Sequence, residues 1–471
     1  MVFSSLTFLC VFLPVVFLLA VVARNLRVQN VLLLIASLLF YAYGEPIYVI
    51  LMIGVSVFAW MAGMALGKTE VPSKRKTFAA IAIIVALACL GVFKYATWVS
   101  SMAASAFDWS FAIAGIELPV GISFYTFQAI SYVIDVYRGD VKPQRNLLLV
   151  MLYISFFPQL IAGPIVRYHD IELQMTDRKI TFSGVNTGVK RFIVGLAKKV
   201  LIADVLAVAV DAIFGADLAD VTGPAALVAA LAYALQIYFD FSAYSDMAIG
   251  IAKAFGFSYK ENFNYPYVST TIKEFWRRWH ISLSTWFLEY LYIPLGGNRK
   301  GRLRTVANKM IVFLLCGLWH GAAWTFVVWG LIHGLFQLLE EYLPIRKLPK
   351  PIGWIYCFAV VVFAFVLFRA DTFEQGLHFM GQIFVGWGAM SPDAMVLILG
   401  QLTPLFIFTF VIAFIGAFPW LPKLKHRLLK ASDSIQKIAD VASSVLCVCL
   451  LIVCLLTLAG GAYSPFIYFR F

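Results

Sequence analysis

The sequence predicts an all-α, polytopic membrane protein, and three observations point to it. Of 471 residues, 62% are hydrophobic and 13% charged, where a soluble domain carries about a quarter charged residues. Apolar runs of about 20 residues, enough for one helical crossing of the hydrocarbon core, recur along the whole chain. Aromatic residues are abundant, yet nowhere do apolar and polar residues alternate over ten positions or so, as the strands of a lipid-embedded barrel must. One membrane domain over 1–464 is expected, with about 10–12 transmembrane helices, followed by a short aromatic segment at 465–471.

Charge orients each element. The run 6–23 has no basic residue before it and has Arg24 and Arg27 after it, the reverse of a cleavable signal peptide. It is expected to stay as a helix entering from outside. Runs at 28–43, 46–66, 78–98 and 112–137 then place Lys68, Lys74, Arg75 and Lys76, and next Arg138, Lys142 and Arg145, on the same face as Arg24. The positive-inside rule makes that face cytoplasmic.

The run 147–165 is long enough to cross, but basic residues flank both ends and Pro158 and Pro164 interrupt it. It reads as re-entrant, which membrane depth tolerates only where protein or a water-filled cavity satisfies the backbone; a cavity is expected nearby. Runs 200–214 and 224–252 lead out and back. The segment 253–309, with ten Lys or Arg, is the largest cytoplasmic loop, and its stretch 290–297 (YLYIPLGG) is a second re-entrant candidate. The run 310–343 enters and must return, because Arg346, Lys347 and Lys350 follow; 353–369, 398–420 and 438–460 complete the chain. Both termini are expected outside.

The net charge is +12, from 37 Lys and Arg against 25 Asp and Glu. On this map every Lys and Arg except Lys94, Arg369 and Arg470 faces the cytoplasm, so the excess reflects topology and implies no nucleic-acid partner. The seven cysteines lie in apolar segments with no Cys-x-x-Cys and no His at zinc-site spacing, so neither disulfides nor a metal is expected. No internal repeat favours a secondary transporter by symmetry.

Polar and ionisable groups within a bilayer are costly, which makes them the candidate functional residues. In LQIYFDFSAYSDMAIG (235–250), Gln236 and Asp240 share one helical face and Ser242 and Asp246 another; the carboxylates bind substrate or hold neighbouring helix ends. In KEFWRRWHISLSTW (273–286), Lys273, Arg277 and Arg278 are suited to clamp phosphates, the alternative being anchorage at the interface. His280 follows them at the mouth of the expected cavity. In CGLWHGAAW (316–324), Trp319 and His320 lie about ten residues from Lys309, roughly 15 Å deep on a helix rising 1.5 Å per residue. A neutral imidazole there suits a general base, the alternative being a core histidine bonded to a carbonyl. His333 is read as structural. The end of the chain, PFIYFRF (465–471), follows the last helix so closely that its aromatic side chains should bury in a groove of the same protein, with the Tyr468 hydroxyl able to reach inward.

These strings, with MVFSSLTFL, SYVIDVYRG, FPQLIAGPI and YIPLGGNRKG, resemble the membrane-bound O-acyltransferase (MBOAT) superfamily over nearly the whole chain, and within it the branch of alginate O-acetyltransferase membrane subunits. The resemblance implies tilted helices and re-entrant loops around a central funnel. His320 matches the family's catalytic histidine, and His280 the second histidine of D-alanyl-transferring members. Phe466, Tyr468 and Phe471 match the Phe-x-Tyr-x-x-Phe end of a small separate peptide proposed to carry the acyl group in those systems, here fused to the enzyme; Arg470 departs from the uncharged polar residue at its position.

The resemblance further implies that no cofactor is bound and that acetyl-CoA is the cytoplasmic acyl donor. Its phosphates would meet Lys273, Arg277 and Arg278, while Trp319, Asp240 and Asp246 complete the substrate contacts. His320 would take the proton of the attacking hydroxyl, which is assigned to Tyr468. No serine-nucleophile elbow is visible for the last step, so an extracytoplasmic transferase or hydrolase-like partner is expected to pass the acetyl group to an exopolysaccharide such as alginate. A bacterial plasma (inner) membrane location follows. The alternatives are D-alanyl transfer to a cell-wall polymer, and a proton-coupled transporter using His320, Asp240 and Asp246.

Overall fold

Helix is the only regular structure among the residues that the computed structural model describes, which are 1–109, 113, 115–461, 466 and 467. The chain divides into two compact units: Met1–Phe192 with Ser245–Glu261, and Ile193–Tyr244 with Asn262–Phe471.

The first unit opens with a wide π-helical turn, Phe8–Phe12, leading into α1 (Leu13–Val22); α2 (Leu26–Ala42), α3 (Tyr48–Lys68), α4 (Pro72–Phe107) and α5 (Ile122–Arg138) follow. The apolar run at 112–137 thus yields a helix only from Ile122, because residues 115–119 carry no helical turn. The run 147–165 is broken into α6 (Leu147–Ser155) and the single turn α7 (Phe157–Leu160). Phe156 leaves helical geometry between them, and the exposed Phe157 N–H is taken by the Ser37 hydroxyl at 3.1 Å. Gly163 permits the return: a Cβ there would sit 2.7 Å from the Pro158 carbonyl oxygen. Phe8, Phe12, Phe40 and Phe157 pack ring to ring at 5.4–6.2 Å around this break.

Helices α8 (Tyr168–Thr176) and α9 (Phe182–Ala197) carry the polar side of the unit. Asp170 accepts from Arg167 at 2.8 Å and Lys260 at 2.6 Å. The buried Asp135 meets His169 at 3.0 Å. Arg191 bridges Asp246 and Glu261, tying 245–261 to the rest of the unit.

In the second unit a π-helical turn, Lys198–Ala203, leads into α10 (Asp204–Phe214); α11 (Gly223–Ala254) is the long helix that carries Asp240 in this unit and Asp246 in its last turns, which belong to the first. The short α12 (Ile272–Trp276) and α13 (Ile281–Phe287) bracket His280; α14 (Arg302–His320) and α15 (Trp324–Tyr342) form a hairpin; then come α16 (Lys350–Arg369), α17 (Phe373–Val385), α18 (Pro392–Gln401), α19 (Pro404–Gly416), α20 (Trp420–Leu428) and α21 (Asp433–Ala459).

Among the described residues five helices, α3, α4, α11, α16 and α21, are each long and apolar enough to cross a membrane, and the bent pair α18–α19 makes a sixth if taken as one span. The sequence run 398–420 falls on that pair, which bends by 61°. The cause is local. Leu402 leaves helical geometry, and Thr403 caps the restarted helix at Pro404, where the missing N–H costs nothing. The apolar window of α11 is 83% buried and that of α21 11%. Polar side chains can therefore be carried on α11 at no exposure to lipid.

Candidate active site

His280 is fully buried and adopts a left-handed backbone, φ 43°, costly for a side chain with a Cβ. A segment eighteen residues earlier holds it there. The Asn262 carbonyl accepts the Ile281 N–H at 2.9 Å, and Asn264 donates to the Arg278 carbonyl at 2.9 Å. The Asn262 side-chain oxygen accepts the Ser282 N–H at 3.1 Å and its hydroxyl at 2.8 Å, and faces His280 Nδ1 at 3.2 Å.

Because that oxygen is fixed as an acceptor, the imidazole proton is assigned to Nδ1, and Nε2 carries the lone pair. Nε2 is buried and has no hydrogen-bond partner among the described residues. Burial also pushes the His280 pKa well below the usual imidazole value. A neutral ring in this tautomer can accept a hydrogen bond from a hydroxyl but cannot donate to an oxyanion.

The other histidine ends α14. After His320 the chain extends at Gly321 and re-enters helix at Trp324. The hairpin closes so tightly because two glycines face each other: a Cβ on Gly330 would lie 3.2 Å from Gly317 Cα. His320 is 5% exposed and lies among aromatic rings, 4.9 Å from Trp319, 5.0 Å from Trp329 and 5.1 Å from Phe368. Trp319 is also 6.1 Å from His280, whose other face meets Phe241 edge-on at 4.6 Å. One indole thus touches both imidazoles, and the two sequence-identified histidines belong to one site.

A cavity of about 400 Å³ opens in the same unit and reaches Cys316, one helical turn from His320; neither histidine lines it. Lys273, Arg277 and Lys309 line it together with Trp276, Phe313 and Cys316. The first two cations are exposed and the last three side chains buried, and Lys309 is paired with Glu341, which also lines the cavity, so its mouth is charged, with cations in excess, and its interior apolar. Burial, then the nearby cations Arg346, Arg277 and Lys309, lower the Lys273 pKa, as expected of a crowded positive rim. The inner wall leads toward His320. Cys316 precedes it by four residues on the same helical face, and Trp276 lies 5.8 Å from Trp329.

Glu340 seats the rim from below: its carboxylate accepts the Ile272 and Lys273 N–H groups at the start of α12. Arg278 does not line the cavity. Its guanidinium is bound to Glu274 at 3.0 Å and to the Asn264 carbonyl at 3.2 Å.

Asp240 and Asp246 part company. Asp246 belongs to the Arg191–Glu261 network of the first unit, whereas Asp240 is buried in the second unit 2.9 Å from Lys199. Asp240 also accepts the Ile467 N–H at 2.8 Å. Phe466 and Ile467 are both buried, with Phe466 4.7 Å from Tyr244 and 6.1 Å from Phe241. The start of the terminal motif therefore packs into its own protein; Tyr468 and Phe471 lie outside the described residues.

Four residues were not singled out from sequence. Lys309 was read only as a boundary marker. Lys199 and Asn262 lie in stretches without periodic signal. His333, taken as structural, is fully buried with both ring nitrogens lacking hydrogen-bond partners among the described residues, and packs 5.0 Å from Trp329 and 5.3 Å from Trp276.

The fold and site together define a polytopic helical membrane protein with a buried histidine pair and, one helical turn from His320, a cavity whose charged mouth has cations in excess. Residues 143–370 match the profile of the MBOAT, membrane-bound O-acyltransferase family. The chain is 41% identical to the probable alginate O-acetylase AlgI of Pseudomonas putida, over 100% of both chains. It is 36% identical to the peptidoglycan O-acetyltransferase of Helicobacter pylori, over 80% of this chain and 78% of that one. With the teichoic acid D-alanyltransferase of Bacillus subtilis it shares 28% identity, over 54% of this chain and 70% of that one. The protein belongs to the membrane-bound O-acyltransferase family, in its AlgI-type branch, and is an acyltransferase. That membership sets aside the transporter alternative.

Proposed function

We propose that the protein moves an acetyl group from cytoplasmic acetyl-CoA to the Tyr468 hydroxyl at its own C-terminus, from which an extracytoplasmic partner passes it to a hydroxyl of an exopolysaccharide such as alginate. The observation that carries this reading is the position of the tail: Phe466 packs on Phe241, and Phe241 packs on His280. Phe466 therefore stands one aromatic ring from His280, two residues before Tyr468 in the sequence. The names of the relatives supply the acceptor class, a bacterial polysaccharide, and with it a bacterial inner-membrane location.

The chemistry follows from the groups present. Lys273, Arg277 and Lys309 hold the donor's phosphates, and the apolar wall at Trp276, Phe313 and Cys316 admits its thioester arm. His320 removes the phenolic proton as the tyrosine oxygen attacks the thioester carbonyl. The tetrahedral intermediate collapses with cleavage of the carbon–sulfur bond, and the departing CoA thiolate takes the proton back from the imidazolium. His280, with its lone pair on Nε2, accepts a hydrogen bond from an amide N–H of the donor's arm and helps position it, which leaves the single phenolic proton to His320. A phenol of pKa about 10 is a good leaving group once acylated, so the ester passes its acetyl group onward readily.

Incubating the purified protein with acetyl-labelled acetyl-CoA should place label on the C-terminal peptide. Tyr468→Phe should lose both that label and polymer acetylation, and His320→Ala should lose them while remaining in the membrane. Unchanged polymer acetylation in Tyr468→Phe would remove the relay from the mechanism.

A further inference from the structure

Three charges meet in the interior of the second unit. Lys199 Nζ lies 2.7 Å from Asp204 and 2.9 Å from Asp240, and Lys199 is 3% exposed. The pairing has a local cause. Across the π-helical turn Lys198–Ala203 the Asp204 N–H donates to the Lys199 carbonyl, five residues back. Residues i and i+5 then share a face, which an ordinary helix does not allow; such wide turns recur at functional sites.

Lys199 faces two carboxylates here, and a buried carboxylate is stable only while its oxygens receive donors. The tail supplies one. The Ile467 N–H reaches the Asp240 carboxylate oxygen opposite the one facing Lys199, and Phe466 covers Tyr244 one turn further along α11. Two residues before Ile467 stands Pro465, which has no N–H to offer. A tail slipped by two residues would therefore lose the bond.

We propose that the Lys199–Asp204–Asp240 cluster is the binding site for the C-terminal segment, an aromatic peptide end recognised through its backbone N–H, and that Asp240 is a positioning residue fixing the register of the tail at Ile467. This rests on the reading in which Tyr468 accepts the acetyl group and explains how the tail is held for that step.

The test uses full-length protein in detergent and reads hydrogen–deuterium exchange of the C-terminal peptide together with acetyl-transfer kinetics. Asp240→Ala removes the acceptor, and Ile467→Pro removes the donor while leaving all three charges in place. A hydrogen bond to a charged group predicts tail exchange faster by about tenfold or more in each variant. Asp240→Asn, which keeps an oxygen at that point, should recover part of the protection, and Ile467→Ala, which keeps the N–H, should stay close to wild type. The double variant Asp240→Ala/Ile467→Pro should be no worse than either single one, since both break the same bond.

In the kinetics, kcat should fall with the apparent KM for acetyl-CoA unchanged, a split that general loss of folding would not give. If Asp240→Ala does not accumulate, Ile467→Pro carries the test alone. Tail exchange within about twofold of wild type in Ile467→Pro, or full additivity in the double variant, overturns the proposal. Exchange requires no acetyl transfer, so the seat can stand where the tyrosine relay fails, and the reverse.

Discussion

Gly317→Ala should disable transfer without removing the protein from the membrane. Gly317 on α14 and Gly330 on α15 set the spacing of the two helices that carry His320 and Trp329. A Cβ on Gly317 would lie 3.1 Å from the Phe326 carbonyl carbon, nearer still to its oxygen, and 3.5 Å from Gly330 Cα. Ordinary contact between such atoms begins near 3.5 Å, so the helices must part by on the order of 1 Å. His320 stands three residues further along α14 and moves with it. Misplacement of a reacting group by about 1 Å costs about 100-fold in rate, while overpacking at one site costs about 1–3 kcal/mol of stability, within what a folded chain survives. Gly91→Ala, where a Cβ would meet nothing within 4 Å, is the matched control. The assay is acetyl transfer at saturating acetyl-CoA, normalised to monodisperse protein recovered from membranes. Transfer by Gly317→Ala within threefold of the control would refute the reasoning.

Neutralising Lys273, Arg277 or Lys309 with Gln should raise the apparent KM for acetyl-CoA about three- to tenfold each with little change in kcat. Arg278→Gln, at a residue that does not line the cavity, should leave KM alone; a larger rise there than at Arg277 would reverse the assignment. Stability should also depend on pH through His169. The hydrogen bond that His169 Nδ1–H donates to the Asp135 carboxylate raises the His169 pKa, outweighing the opposing effect of burial. A folded-state pKa above the unfolded value of about 6.5 contributes stability that is complete below that pH and is lost as pH rises through the folded-state pKa. The thermal midpoint of the solubilised protein should fall over that interval, and His169→Asn should flatten the dependence.

The class of fold was legible because hydropathy is a bulk property, and the histidines were legible because an imidazole in an apolar helix has few innocent explanations. What the sequence withheld was partnership. Arg277 and Arg278 look equivalent as neighbours, yet they lie in the turn that follows α12, where one lines the cavity and the other folds back on Glu274. That pair stands at i,i+4, a spacing that could have been weighed. Asn262 gave no such sign, since its contacts join distant segments, and Lys199 gave none because it pairs with Asp204 at i,i+5, a spacing an ordinary helix does not bring together, and with the distant Asp240. The bend within the run 398–420 was hidden for a related reason: hydropathy averages across Leu402 and Thr403, which backbone geometry resolves.

The surplus residue in the Lys198–Ala203 turn has a hereditary consequence. Deleting one residue there would let an ordinary helical ladder close and rotate the preceding stretch by about 100°, swinging Lys199 away from both carboxylates and stranding them in the interior. A shortened descendant would have to lose the acids at 204 and 240 in the same step. Length and charge in this stretch are therefore passed on together, and neutral drift can erase neither alone.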